Sequence, residues 1–198
     1  MNLITISVRI SGVTPLILHS GSGIDPLDEF SIAKSKITAK RTKKTEEDIH
    51  ELYRLDFMSG LYLDADGHPA VPGENIEAMI RDGAKATRNG KAATAGILCD
   101  GVWKLQYPGG PKTPDELWSK RGQWMDKRAV KISTARVIRV RPKFTDWSID
   151  FELVVNTGLV SASKVREWLQ TAGSSVGLGD FRPRFGRFNV EAWELVNA

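Results

Sequence analysis

A twelve-residue stretch from Gly177 to Phe188, GLGDFRPRFGRF, interleaves glycine, arginine and phenylalanine. Glycine allows positive φ angles and bares the backbone amides, so the chain can approach a phosphate closely. Arginine adds charge for phosphate contacts, and phenylalanine adds a ring face on which a base can stack. We therefore predict a loop that binds single-stranded nucleic acid, named here the Gly/Arg loop. Its predicted contact residues are Gly177, Gly179, Phe181, Arg182, Arg184, Phe185, Gly186 and Arg187.

The same stretch allows one other interpretation. It can be a tight helix-to-strand connection whose phenylalanines lie in the core and whose arginines are solvated. Two nucleotide-binding loops are excluded. No Gly-Lys-Ser/Thr follows, as a Walker loop requires. The stretch also neither follows a strand nor opens a helix, as a dinucleotide-binding loop must.

A second basic stretch, AKSKITAKRTKK at residues 33–44, has few large apolar side chains. We expect it to be exposed and extended or mobile, because charge-rich segments of this kind gain little from burial. It is comparable to a flexible arm that folds over a polyanion, and a solvated loop is the other interpretation. The cations expected to contact nucleic acid are Lys34, Lys36, Lys40, Arg41, Lys43 and Lys44.

Further cations lie on segments with regular periodicity. Residues 135–141 alternate as a strand, and Arg139 and Arg141 fall on one face of it. If that face is the open side of a sheet, these arginines extend the Gly/Arg loop into a continuous basic track. Arg81 lies on a predicted helix over residues 74–88 and is a further candidate contact.

The overall composition permits a polyanionic partner but does not require one. The chain of 198 residues is 41% hydrophobic and carries a net charge of +4, which is compatible with one domain around one core. A single cysteine, Cys99, excludes an internal disulfide, and no apolar run approaches the length that spans a bilayer. We expect a cytoplasmic protein without a membrane partner. The three histidines fit no metal-binding spacing, so no metal or cofactor is predicted.

The predicted elements follow one another in the order strand, helix, strand, strand, helix, strand. Outside the insertions, these six elements are residues 3–10, 74–88, 135–141, 147–155, 161–172 and 188–195, and a further helix is predicted at 45–57, within an insertion. Gly173 is predicted to end the last helix. This order is that of a ferredoxin-like, RRM-type βαββαβ core, so we expect a single α+β domain over residues 1–198. Two large insertions are predicted, a basic and helical one at 28–60 and another at 96–130.

Two motifs resemble the RAMP superfamily, the backbone subunits of CRISPR effector complexes. The stretch VPGENIEAMIR at residues 71–81 resembles the (I/V)PG-x-S-(I/L)-(K/R)-G-x-(I/L)-R pattern that begins that superfamily's first helix. The Gly/Arg loop resembles its glycine-rich loop. The chain also resembles a group of phage and prophage proteins with the phrases RPxFxxW and GLGDxRPRFGRF. The resemblance implies a ferredoxin-like core, binding along a nucleic-acid backbone and head-to-tail assembly.

The chain departs from the superfamily pattern in the helix that follows Pro72-Gly73. Glu74-Asn75 and Glu77-Ala78 replace the usual hydroxyl residue and Lys-Gly. This removes a positive charge from the expected strand-facing position. The basic stretch at 33–44 or the arginines after Ala135 are expected to supply the charge instead.

One residue carries a prediction of catalysis. Gly23-Ile-Asp25-Pro26 lies where RNA-cleaving members of the superfamily carry a G-(I/L)-D-x-P phrase with an essential aspartate, although here the proline comes one residue early. The resemblance therefore points to Asp25 as the catalytic residue of an endoribonuclease. An Asp-Pro pair that initiates a turn is the other interpretation.

The favoured hypothesis is a phage or prophage protein that binds single-stranded RNA or DNA without doing chemistry. It would act as a homo-oligomer, or as a filament that coats the strand, in the cytoplasm of a bacterial host. An endoribonuclease that uses Asp25 is the second hypothesis. A phage assembly or host-interaction protein that uses the fold for protein contacts alone is the third. Residue types do not separate RNA from DNA, because contacts to the 2′-hydroxyl are not readable from sequence.

Overall fold

The computed structural model describes residues 2–132 and 135–196. The helices are α1 (Glu29–Thr38), α2 (Glu46–Ser59), α3 (Gly73–Lys85), α4 (Gly90–Gly96), α5 (Pro114–Ser119), α6 (Arg121–Trp124) and α7 (Ala162–Thr171). The strands are β1 (Leu3–Gly12), β2 (Leu16–Ile17), β3 (Ala70–Pro72), β4 (Ile97–Leu98), β5 (Val102–Gln106), β6 (Met125–Ile132), β7 (Ala135–Phe144), β8 (Ser148–Asn156) and β9 (Phe188–Leu195). Within the described residues, no helix is both long and apolar enough to cross a bilayer.

The central sheet has the ferredoxin-like strand order. Its neighbouring strands run β3, β5, β8, β1, β9, all antiparallel, and β4 also pairs with β8. The chain order β1-α3-β5-β8-α7-β9 is βαββαβ, and these four strands lie side by side as second, third, first and fourth. This confirms the predicted α+β class and the ferredoxin-like core.

The core lies between this sheet and the helices α3 and α7. Ile6, Val8 and Ile10 alternate along β1 and are no more than 1% exposed, which is the period of two of a half-buried strand. The helices approach each other closely, because a Cβ atom at Gly83 of α3 would overlap the carbonyl oxygen of Trp168 in α7. Burial of each large apolar side chain contributes roughly 1.5–3 kcal/mol.

A second sheet, in the order β2-β7-β6, lies outside the ferredoxin-like core. The prediction that residues 135–141 form the second core strand is therefore wrong, because β5 takes that place. The sequence predicts β7 but not β6. The two strands pair antiparallel, and we call their described residues, 125–132 and 135–144, the basic hairpin. Because β7 pairs with β2 and β6, Arg139 and Arg141 do not extend the open face of the central sheet, and that prediction is wrong. Of the predicted insertions, 28–60 holds α1 and α2, and 96–130 includes β4 and β5 of the central sheet.

The basic stretch at 33–44 is not an extended arm, because its first half belongs to α1. Asp28 caps this helix by accepting a hydrogen bond from the Phe30 N–H at 2.9 Å. Beyond the helix, Lys40 donates a hydrogen bond to Asp48 in the first turn of α2. The prediction of an extended or mobile segment is therefore wrong for its helical part. Because α1 has few large apolar residues, its sequence lacks the strong apolar periodicity from which a helix is predicted.

Cys99 supports one prediction about the core. Its side chain is 2% exposed, and burial raises the pKa of the thiol to about 12. At mildly alkaline pH we expect no reaction of the native protein with a thiol-specific disulfide reagent, and full reaction in denaturant. Because the folded pKa lies above the unfolded one, stability falls as the pH rises past the unfolded value. Native-state labelling at the rate of the unfolded chain would contradict the buried position.

Candidate nucleic-acid interface

Hydrogen bonds hold the backbone of the Gly/Arg loop against the rest of the protein. Its amides donate to carbonyls of the loop itself, of a π turn at Ala172–Val176 and of the segment around β2. These hydrogen bonds are Gly177 to Ala172 (2.8 Å), Leu178 to Gly186 (2.8 Å), Asp180 to Ile17 (2.8 Å) and Gly186 to Pro15 (2.9 Å). The prediction that glycine amides are bared for phosphate is therefore wrong for Gly177 and Gly186, whose N–H groups are already used.

Three glycines let this loop fold tightly. Gly177, Gly179 and Gly186 have φ angles of 84°, 78° and 74°, in the left-handed region that other residues rarely adopt. A Cβ atom at Gly186 would also overlap the carbonyl oxygen of Leu178. Gly177 ends the helical run, because the π turn extends it beyond α7, and the prediction that Gly173 ends it is wrong.

The two loop phenylalanines stack on each other and on an arginine of the basic hairpin. The ring centres of Phe181 and Phe185 are 5.7 Å apart, and the rings are inclined by 29°. The Arg128 guanidinium lies 4.9 Å from the first ring and 4.8 Å from the second. It also donates hydrogen bonds to the buried Asp126 carboxylate. The rings therefore do not offer separate stacking faces, although Phe181 stays 43% exposed.

Replacing Arg128 with lysine is expected to loosen the Gly/Arg loop without unfolding the core. Lysine keeps a charge near Asp126 but loses the planar contact with both rings, and each such contact contributes roughly 0.5–1 kcal/mol at an exposed site. Trypsin should then cut after Arg184 several-fold faster, as followed by mass spectrometry. The matched control is Arg121→Lys, whose guanidinium lies 4.9 Å from the Trp118 ring. Equal cleavage after Arg184 in both variants would contradict the stacking role.

Cations from three parts of the chain converge beside the loop. Arg139 of β7 and Lys34 of α1 share the Asp56 carboxylate of α2, at N–O distances of 3.7 and 2.9 Å. Arg141 of β7 lies 3.0 Å from Asp180 of the Gly/Arg loop as an ion pair, with only 12% of its side chain exposed. We call this region the basic groove. Its residues are His19, Lys34, Asp56, Arg139, Arg141, Asp180 and Arg182.

His19 lies among these charges. Burial lowers the pKa of His19, the attraction of Asp180 opposes this, and the repulsion of Arg141 and Arg139 adds to it, so the pKa lies below its usual value. The imidazole is therefore neutral at neutral pH, with one nitrogen that donates and one that accepts. The sequence does not identify His19 as a site residue, because a single histidine in a loop has no characteristic spacing to other functional residues.

A small cavity of about 150 Å³ lies beside the groove. Its walls come from the segment after β2, the first turns of α3 and the Gly/Arg loop, with His19, Asn75, Asp180 and Arg182 as polar lining. This volume is large enough for several water molecules. Donors and acceptors are both present, so the lining suits the edge of a base.

Two of the predicted contact arginines meet at Asp82 on α3. Arg182 Nη1 lies 3.5 Å and Arg81 Nε lies 3.7 Å from this carboxylate, and Lys85 donates to it at 2.7 Å. Burial acts to raise the pKa of Asp82, but the Lys85 hydrogen bond and the two arginines outweigh it, so the pKa lies below its usual value. The ionised carboxylate holds Arg182 beside the cavity.

The remaining predicted contact cations lie on the loop surface and around α1. Arg187 donates from Nε to the Pro183 carbonyl at 2.9 Å, inside the loop, and Arg184 is exposed. In the α1 region the exposed cations are Lys36, Lys40, Arg41 and Lys43, and Lys44 is half-buried. Their contact with nucleic acid stays a prediction.

Asp25 follows a short 3-10 helix, Gly21–Ile24, and is exposed. Its carboxylate accepts a hydrogen bond from the Leu27 N–H at 2.9 Å, and its carbonyl accepts one from the Asp28 N–H at 3.1 Å. These contacts are those of a turn that leads into α1. A catalytic role of Asp25 stays a prediction.

Three residues with metal-binding side chains, Asp64, Asp66 and His68, lie within 4.8 Å of one another before β3. The Asp64 carboxylate accepts hydrogen bonds from the Asp66 and His68 N–H groups at 3.0 and 2.8 Å. The turn accounts for this cluster, and we assign it no role.

Comparison with known proteins bears on the fold. No protein-family model and no curated protein matches the chain. Among solved structures, it is similar to a chain in the cryo-EM structure of type III-B Cmr-beta bound to cognate target RNA, with 9% sequence identity and a TM-score of 0.54. The likeness shows a shared fold. It covers 98% of this chain but 61% of the neighbour, so this chain spans about three fifths of that neighbour's length.

Proposed function

We propose that this chain binds single-stranded nucleic acid, with RNA as the expected ligand, along the basic groove. The observation that carries the proposal is the convergence of α1, the basic hairpin and the Gly/Arg loop, which brings Lys34, Arg139 and Arg182 to one region. Cations that follow a backbone supply sequence-independent affinity, and exposed Phe181 offers a surface for a base. The fold likeness to a chain in an RNA-bound structure supports this ligand class.

The carboxylates of the groove affect how a strand binds. Asp56, Asp82 and Asp180 hold their cations in fixed positions, so less side-chain entropy is lost on binding. Each guanidinium has five N–H donors, so one arginine can contact a carboxylate and a phosphate together. The same carboxylates reduce the net positive charge. We therefore infer moderate affinity, carried by a few positioned contacts.

The open face of the central sheet is not the binding surface in this proposal. RRM domains stack bases on aromatic side chains of that face. Here its exposed residues include four carboxylates, Asp150, Glu152, Glu191 and Glu194. These charges repel phosphate, and a strand in the basic groove avoids them.

The superfamily and the origin that we propose for this chain rest on short sequence motifs. The VPGENIEAMIR motif at 71–81 and the Gly/Arg loop support a place near the RAMP superfamily, and the GLGDxRPRFGRF phrase supports a phage or prophage origin in a bacterial cytoplasm. We propose binding without chemistry, with several copies on one strand. The turn contacts of Asp25 support the non-catalytic form of this proposal.

Fluorescence anisotropy with labelled single-stranded RNA and DNA of mixed sequence tests the proposal. We expect micromolar or tighter binding at low salt and a steep loss of affinity as the salt concentration rises, because released counterions drive phosphate binding. Tighter binding of RNA than of DNA with the same sequence would indicate contacts to the 2′-hydroxyl. If protein freed of copurified nucleic acid does not bind at low salt, the proposal fails.

A further inference from the structure

His19 lines the cavity from the segment that follows β2, and its backbone is held in place. The N–H of Leu18, one residue earlier, donates to the Pro142 carbonyl of β7 at 3.1 Å. The His19 carbonyl accepts a hydrogen bond from the Tyr62 hydroxyl at 3.3 Å. The side chain itself is exposed, and within the described residues its ring makes no hydrogen bond. Both ring nitrogens are therefore open to a ligand in the basic groove.

Charged groups from several elements act on His19. Two carboxylates attract a proton on its ring, two arginines of β7 repel one, and a third arginine and a tyrosine line the same cavity. These groups are Asp56 of α2, Tyr62 after α2, Arg139 and Arg141 of β7, and Asp180 and Arg182 of the Gly/Arg loop. Both carboxylates already pair with cations, Asp180 with Arg141 and Asp56 with Lys34 and Arg139. In the free groove they therefore do little to hold a proton on His19.

The ion pair between Arg141 and Asp180 leaves hydrogen bonds unmade. Arg141 Nε lies 3.0 Å from Asp180 Oδ2, but the two atoms do not have the geometry of a hydrogen bond. Within the described part of the chain, Nε and Nη1 of Arg141 and Oδ2 of Asp180 are buried without a hydrogen-bond partner. Such atoms are few in native proteins and call for an explanation, such as an ordered water or a functional role. A further charged group can therefore join this network without breaking a hydrogen bond between these two residues.

A phosphate bound in the basic groove changes the charge balance at His19. The pKa of the free imidazole lies below its usual value, because burial and then the repulsion of the two arginines outweigh the attraction of the carboxylates. A phosphate adds negative charge beside those arginines, and a nearby opposite charge favours the protonated ring. The pKa is therefore higher in the complex than in the free protein. By linkage, affinity is highest below the free pKa and is lost as the pH rises through the bound pKa.

We infer that His19 is a strand-binding residue of the basic groove, and that it takes up one proton from solvent to contact a phosphate as an imidazolium. The proton adds to the ring nitrogen that accepts hydrogen bonds in the neutral form, so the bound ring has two N–H donors. Histidine suits this role because its charge changes between about pH 5 and 8. The inference rests on the proposed function and deepens it, because it makes pH a regulator of the same site.

Fluorescence anisotropy with one labelled single-stranded RNA, at constant ionic strength and from about pH 5.5 to 8.5, tests the inference. The wild type is expected to bind about tenfold more weakly at about pH 8 than at about pH 6, which corresponds to a pKa shift of about one unit. His19→Gln is neutral at every pH, so it should bind as weakly as the wild type does at the alkaline end, without pH dependence. The matched control is His50→Gln, at an exposed position of α2, and it should keep the wild-type dependence.

Proton NMR gives a second readout, since the ring C–H signal of His19 is identified by its loss in His19→Gln, whose other signals report on the fold. Its titration midpoint should lie about one pH unit higher with RNA bound than in the free protein. The inference is overturned if the two midpoints coincide, if wild-type affinity does not change with pH, or if His19→Gln keeps the wild-type pH dependence. RNA binding that is insensitive to pH overturns this inference alone, whereas a failure to bind at any pH overturns the proposed function as well.

Discussion

Replacing Arg182 and Arg184 together with alanine is expected to lower the affinity for a single-stranded oligonucleotide roughly a hundredfold at low salt. A hydrogen bond to a charged group contributes roughly 1.5–3 kcal/mol, and about 1.4 kcal/mol corresponds to a tenfold change in affinity. Each lost phosphate contact should also reduce the slope of log affinity against log salt by about 1. Anisotropy titrations at several salt concentrations measure both quantities.

The control for this variant removes the same charge at the other end of the neighbouring helix. Lys164 and Arg166 lie in the first half of α7, and the Gly/Arg loop follows the end of that helix. Lys164→Ala with Arg166→Ala is expected to change the affinity by less than about threefold, which is the effect of a general loss of charge. Equal losses in the two double variants would show that net charge, and not the Gly/Arg loop, governs binding.

Replacing Gly186 with alanine is expected to destabilise the protein by more than about 3 kcal/mol. The φ angle of Gly186 is 74°, and a left-handed conformation costs an alanine roughly 1–2 kcal/mol. The new Cβ would also overlap the carbonyl oxygen of Leu178. That overlap must open the hydrogen bond from Leu178 to Gly186, which closes the Gly/Arg loop. Urea denaturation followed by tryptophan fluorescence measures the loss.

The control for this substitution is Gly67→Ala, at a turn with a similar φ of 77° and no heavy atom within 4 Å of the added Cβ. This variant should lose only the conformational cost of roughly 1–2 kcal/mol. If both alanine variants lost the same stability, the close approach of Gly186 to Leu178 would not be what requires a glycine there.

The alternation along β1 and β8 and the amphipathic faces of α3 and α7 made these parts of the ferredoxin-like core predictable from sequence, whereas the sequence placed the core strand β5 in an insertion. These elements bury one face each, so the core imposes a period on the residues. Helix α1 and strand β6 bury few large apolar side chains and leave no such period. The sequence therefore reveals neither the helical start of the basic stretch nor the partner of β7.

The cations of the basic groove could be predicted from the sequence, but its carboxylates could not. Lys34, Arg139 and Arg182 stand out as charge in a sequence, whereas Asp56 and Asp180 appear as single acidic residues with no spacing that links them to those cations. Their role exists only in three dimensions, where separate elements meet. For the same reason, the contact of Arg128 with the loop phenylalanines is not readable from the sequence.

The glycines of the Gly/Arg loop have two possible explanations, phosphate binding and close backbone packing, and the structure distinguishes between them. Bare amides for a phosphate and close packing of a backbone both require glycine, and the sequence pattern alone is compatible with either. The N–H groups of Gly177 and Gly186 bond within the protein, at 2.8 and 2.9 Å. In this loop the glycines shape the backbone, and binding is left to the side chains around it.

Ultraviolet crosslinking of a bound 4-thiouridine oligonucleotide, with the attachment sites located by mass spectrometry, tests the location of the strand most directly. We expect crosslinks in peptides that contain Phe181, His19 and the inner face of the basic hairpin around Arg139. These crosslinks should disappear with excess unlabelled RNA. Crosslinks concentrated on the open face of the central sheet, in β1 and β8 around Arg9, would contradict the proposed position of the strand.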